Sequence, residues 1–215
     1  MGPLIALAIV LLPGGIHGDL FLPAGPEKHP AVVLLHGGAG LTRRGSDFRA
    51  YAADLARNGF VVLIPHYFDA THSETMGPPT RERFELWQRA VRDSIGWLRG
   101  RPDVSKVSLL GFSLGGFLAV SLGAEADAIV EYYGGVSELA PPPSKLPPTL
   151  ILHGEADSTV PVREARRLAA LLEERHVAHE MHLYTEAEHV FDERRGPGSA
   201  GRDAWMRTLA FLRAH

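Results

Sequence analysis

The stretch Val107-Ser108-Leu109-Leu110-Gly111-Phe112-Ser113-Leu114-Gly115-Gly116-Phe117-Leu118 decides the fold. Val107–Leu110 is a short apolar run rich in β-formers, and Leu114–Leu122 is compatible with a helix. Between them stands the pattern G-x-S-x-G. A serine on a sharp strand-to-helix turn has a strained backbone, and side chains two places before or after it would strike the neighbouring chain. Gly111 and Gly115 remove that collision. Ser113 is then presented above the strand end at a helix N-terminus, where the dipole favours developing negative charge.

Outward from this turn, two patterns alternate. Ala31–Leu35, Phe60–Ile64, Ala128–Tyr133, Thr149–Leu152 and the weaker Glu180–Tyr184 read as strands. Near-continuous apolar strands imply a sheet covered on both faces, hence mostly parallel pairing. Helical segments fill the gaps. Ser46–Asn58 offers Ser46 as N-cap and Gly59 as stop. Thr80–Arg99 sets Phe84, Trp87, Val91, Ile95 and Leu98 on one stripe, with Thr80 as cap. Pro161–Arg175 and Arg202–Arg213 follow with their own apolar faces. Strand–helix repetition predicts an α/β domain with right-handed crossovers over residues 1–215 and no large cap domain. The segment Gly134–Pro148 is the candidate for a short lid.

The N-terminal run Leu4–Leu12 is too short to span a bilayer, so no stable membrane insertion is expected. It reads either as a buried strand, turned by Pro13-Gly14-Gly15 into a second strand Ile16–Leu22, or as a remnant signal segment. No Lys or Arg precedes it and no A-x-A-like site follows. The strand reading places the protein in the cytoplasm; the signal reading makes it secreted. The 22 basic and 25 acidic side chains of the 215-residue chain give a net charge of −3, so no nucleic-acid partner is expected. With no cysteine, disulfides, thiolate metal sites and a cysteine nucleophile are excluded. Oligomeric state leaves no signature.

Serine is a weak nucleophile and needs a base. Among eleven histidines, His17, His29 and His215 fall where exposure is expected, and His36 and His153 precede glycines at strand ends. His189 follows the last strand and fits the order serine, acid, histidine. Asp157, on the loop after Thr149–Leu152, is the candidate acid, with Glu155 in reserve and a helix N-cap as the bland role for Asp157. Such a carboxylate accepts the Nδ1–H of the histidine and stabilises the imidazolium. The loop His36-Gly37-Gly38-Ala39-Gly40 can supply one oxyanion donor, with Gly38 favoured over Gly37 and Ala39, and the Leu114 amide supplies the other. Tyr67, Phe68 and Tyr133 follow strand ends and are candidate substrate-binding residues. His176, His179 and His182 diverge wherever the chain is a strand, so no metal is expected.

Taken together, HGGAG at 36–40, PHYFDAT at 65–71, GFSLGG at 111–116, YYGG at 132–135, HGEADSTVP at 153–161 and EAEHVF at 186–191 resemble the α/β-hydrolase superfamily and, within it, the dienelactone hydrolase family. The resemblance implies an α/β-hydrolase fold, cofactor-free hydrolysis of small-molecule carboxylic esters or lactones, and a Ser113–His189–Asp157 triad. The founding enzymes of the family use a cysteine held by a glutamate; this chain has serine, and His36-Gly37 where that glutamate stands. A small-peptide serine peptidase and a non-catalytic binding protein on the same fold are the alternatives.

Overall fold

A computed structural model of the chain describes residues 6–193, 196 and 198–215. Eight strands form one sheet: β1 (Ala6–Leu12), β2 (Ile16–Leu22), β3 (His29–Leu35), β4 (Val61–Pro65), β5 (Val104–Phe112), β6 (Ile129–Tyr132), β7 (Thr149–Gly154) and β8 (His179–Tyr184). Their spatial order is β1-β2-β4-β3-β5-β6-β7-β8. β1 and β2 pair antiparallel, as do β2 and β4, and every later pair is parallel. The predicted mostly parallel sheet is therefore present, extended by an antiparallel hairpin.

Helices cover both faces because the parallel strands are apolar on both. Ala31, Val33 and Leu35 of β3 join one core with α2 (Arg81–Arg99), α3 (Leu114–Ser121) and α4 (Arg163–Glu174). Val32 and Leu34 point the other way, into a second core with α1 (Gly40–Arg57) and α5 (Ala200–Ala214). The α2 stripe is buried as its spacing requires, with Trp87 at 0% exposure, and the Thr80 side chain accepts the Arg83 N–H at the helix start.

Three expectations need correction. β1 forms and turns through Pro13–Gly15 into β2, but it is an exposed sheet edge rather than a buried strand: Leu7, Ile9 and Leu11 face outward with more than half their surface open. The first two residues of the expected strand, Leu4 and Ile5, lie outside the described residues. Helix α1 begins at Gly40, well before Ser46, with a break at Arg44 (φ −123°, ψ 15°). Ser46 is therefore inside the helix and caps nothing; the glycine-rich exit from β3 already turns into helix. His29, expected to be exposed, is buried, with Nδ1 3.1 Å from the Gly59 carbonyl. Among the described residues no helix is long and apolar enough to cross a membrane.

Candidate active site

The parallel strands end on one rim, and the site is built there. Ser113 links β5 to α3 with φ 54° and ψ −117°, a conformation costing on the order of 1–3 kcal/mol for a residue with a Cβ. Its N–H donates to the Tyr132 carbonyl at 2.9 Å, which locks the turn onto β6. A Cβ at Gly111 would stand 2.1 Å from the Gly115 carbonyl oxygen, and one at Gly115 would stand 2.2 Å from that of Leu35. The two glycines let the turn close on itself and settle against the end of β3, as the pattern requires.

The three polar side chains come together from β5, β7 and β8. His189 Nε2 lies 3.1 Å from Ser113 Oγ, and its Nδ1 lies 2.7 Å from Asp157 Oδ2. Asp157 is buried, and its Oδ1 accepts the Thr159 and Val160 N–H groups at 2.9 and 2.8 Å. Asp157 thus caps its own loop turn rather than a helix, since α4 starts only at Arg163. Each carboxylate oxygen has a separate task. His153, fully buried beneath, donates its Nε2–H to the Val160 carbonyl at 2.8 Å and so braces the same loop. Burial holds its pKa below the usual histidine value, so it is a neutral strut. Glu155, the reserve acid, is exposed and bonds Thr185 at 3.0 Å.

The loop after β3 lies against the serine: a Cβ at Gly37 would come within 3.4 Å of Ser113 Cβ. Gly38 donates no backbone hydrogen bond among the described residues, and Leu114, first in α3, has an N–H that its own helix cannot satisfy. His36 anchors this loop. Its ring stacks on Tyr67 at 4.0 Å, its Nδ1 lies 2.9 Å from the Gly37 carbonyl, and burial pushes its pKa down to about 4. The Tyr67 hydroxyl donates to the His36 carbonyl.

A cavity of about 280 Å³ opens over Ser113 and His189. Its walls include Phe48, Met76, Phe112, Tyr133 and Val190, so it is chiefly apolar. Tyr133 is therefore at the cavity, as expected. Tyr67 and Phe68 are not: both are buried beneath the loop, packed on His36 and Trp87, because the chain after β4 folds inward as a short 3₁₀ turn. The segment Gly134–Pro148 does not line the cavity either; it is tied down by Leu146 in the core and by the Pro143 carbonyl, which accepts from Arg175. The wall is supplied instead by Met76, whose N–H donates to the Gly38 carbonyl at 2.8 Å. No group of three or more His, Asp or Glu side chains among the described residues is arranged to hold a metal.

A dienelactone hydrolase family model matches residues 16–215. The chain belongs to the dienelactone hydrolase family. Among curated relatives of this family member, the esterase EstD of Thermotoga maritima is 30% identical over 133 residues, covering 60% of the chain and 31% of the relative. The chain thus spans about a third to a half of the length of the first curated relatives it matches. Among solved structures, a dienelactone hydrolase-like promiscuous phosphotriesterase from metagenomic libraries superposes with TM-score 0.74 at 19% identity, covering 98% of each chain. Esterase 2 of Thermogutta terrifontis, phosphorylated by paraoxon, gives TM-score 0.74 at 19% identity over 99% of this chain and 94% of the other. The fold is that of the family, and the described residues form no large cap domain.

Sequence reading missed three side chains at or near this rim. Glu131 of β6 is fully buried; its Oε2 accepts the Gly134 N–H at 2.7 Å, while Oε1 has no partner among the described residues. Burial pushes its pKa up to about 8. A lone acid inside the apolar run Ala128–Tyr133 was the available signal. Met76 and Asp192 carried none, because their roles arise only from contacts distant in sequence.

Proposed function

We propose that this family member is a serine hydrolase of small carboxylic esters or lactones that works through an acyl-enzyme on Ser113. The observation that carries the reading is the unbroken chain of contacts Ser113–His189–Asp157, at 3.1 and 2.7 Å. His189 Nε2 takes the hydroxyl proton as Oγ attacks the carbonyl carbon. Asp157 holds Nδ1–H, so the correct nitrogen is free and the imidazolium is stabilised. The Leu114 and Gly38 amides receive the oxyanion; donors so placed contribute about 2.7–4 kcal/mol each. His189 then protonates the departing alkoxide, and the acyl group stays on Oγ. Water, deprotonated by the same nitrogen, attacks the acyl carbon; the Oγ–acyl bond breaks, Ser113 Oγ takes the proton back from His189, and the acid is freed.

The apolar cavity of about 280 Å³ favours a short acyl chain. A p-nitrophenyl ester series from acetate to decanoate tests this, beside labelling with a fluorophosphonate and mass mapping of the adduct. Turnover highest at two to four carbons and an adduct on Ser113 are expected; no adduct and no turnover would favour the binding-protein alternative. Trimming Met76 to alanine opens the wall over Gly38. Each further acyl methylene that can then be buried is worth about 0.8 kcal/mol, close to a fourfold gain in kcat/KM. The Met76→Ala optimum should move to longer chains by one or two carbons; an unchanged optimum would remove Met76 from the acyl wall.

A further inference from the structure

Asp192 sits three residues past His189, on the short 3₁₀ turn Phe191–Glu193, and is 1% exposed. The reaction as proposed does not use it, yet it gathers three side chains from distant elements. The Tyr133 hydroxyl donates to Oδ1. The Tyr51 hydroxyl donates to Oδ2 at 2.7 Å, and Arg44 Nη2 donates to the same oxygen at 3.0 Å. One carboxylate thereby ties α1, the end of β6 and the loop that carries the base.

The tie reaches the reacting groups through Tyr133. Its ring stands edge-on to the His189 ring, with centroids 4.6 Å apart and planes at 61°. Tyr133 holds φ at 41°, and Glu186 and Val190, on either side of His189, hold φ at 61° and 65°. None is glycine, so each position is strained and persists only where its surroundings hold it. His189 keeps 17% of its side chain exposed and contacts solvent on its open side, so its ring needs a wall to stay 3.1 Å from Ser113 Oγ.

We infer that Asp192 is a positioning residue: by anchoring the Tyr133 hydroxyl it holds the tyrosine ring as the wall that keeps His189 aligned between Ser113 and Asp157. The inference rests on the serine-hydrolase reading. Burial and the adjoining Asp192 carboxylate keep the Tyr133 hydroxyl protonated, so it remains a donor. Arg44 balances the buried charge and also meets Glu193 at 3.0 Å, which fastens the same turn a second time.

The test compares Tyr133→Phe, Asp192→Asn and the double variant in ester turnover, in fluorophosphonate labelling rate and in thermal unfolding. Tyr133→Phe deletes one oxygen and keeps the ring. A displacement of the base near 1 Å costs up to about 100-fold, so kcat should fall about 10- to 100-fold with KM changed less than twofold. Labelling should slow in parallel. The double variant should be no slower than Tyr133→Phe, because once the hydroxyl is gone the change at Asp192 has no link to the ring left to weaken. Wild-type kcat in Tyr133→Phe, even with a lowered Tm, would reduce the contact to a structural one and overturn the inference. So would multiplicative losses in the double variant. If Asp192→Asn does not fold, Tyr133→Phe decides alone. A wild-type chain that takes no fluorophosphonate adduct would instead sink the serine-hydrolase reading itself, a separate outcome from slow labelling confined to the variants.

Discussion

Ser113→Ala should lower kcat by roughly 10³–10⁶-fold, with residual turnover from the oxyanion donors and binding alone. The folded chain should survive the change. Among the described residues the side chain of Ser113 makes one hydrogen bond, the 3.1 Å contact with His189, and the backbone bond to Tyr132 is kept. Alanine at φ 54° is no more strained than serine, so stability should move by less than about 1 kcal/mol. Ser113→Gly should be as inactive and more stable than either, since glycine accepts that conformation freely. Chemical unfolding with p-nitrophenyl acetate assays on all three proteins checks both halves. A Ser113→Ala protein that keeps a tenth of wild-type kcat would remove this serine from the chemistry.

The second large effect concerns pH and Glu131. Its carboxyl has a pKa of about 8 in the folded chain against 4.5 for an ordinary glutamate, because burial disfavours the charged form. Between these values the folded state binds the proton and the unfolded state does not. Stability from this group is therefore fully present below pH 4.5 and is lost as pH rises toward 8. The shift corresponds to a loss on the order of 3–5 kcal/mol across that window. Glu131→Gln keeps an acceptor for the Gly134 N–H but cannot ionise. Its unfolding free energy should fall with pH less steeply than that of the wild type, by an amount of that order between pH 5 and 8. Denaturant titrations of both proteins at several pH values measure it; parallel curves would show that the carboxyl is already ionised at pH 5.

Most of the rim was legible because local rules govern it. G-x-S-x-G specifies a turn through the steric demand of Gly111 and Gly115, and the distances to the Gly115 and Leu35 carbonyls show that demand. His189 and Asp157 were legible from their order after strands, since parallel strands deliver their trailing loops to one edge. What the sequence concealed depends on contacts across the fold. Tyr67 and Phe68 were expected at the cavity on position alone, and the inward turn after β4 buries them. Leu7, Ile9 and Leu11 look like core by composition, yet they lie on an edge strand and are exposed among the described residues. Asp192 meets Arg44 across 148 residues of chain, a separation no local pattern encodes.

β8 lies at the opposite margin of the sheet from β1, paired on one side only and less buried than its neighbours. The loop after it delivers the imidazole, while the hydroxyl follows the central strand β5. Local opening begins where few contacts hold the backbone. On the proposed mechanism, fraying of that margin withdraws His189 from Ser113 while the rest of the sheet stays folded, so inactivation should run ahead of global melting and reverse when the strand zips back.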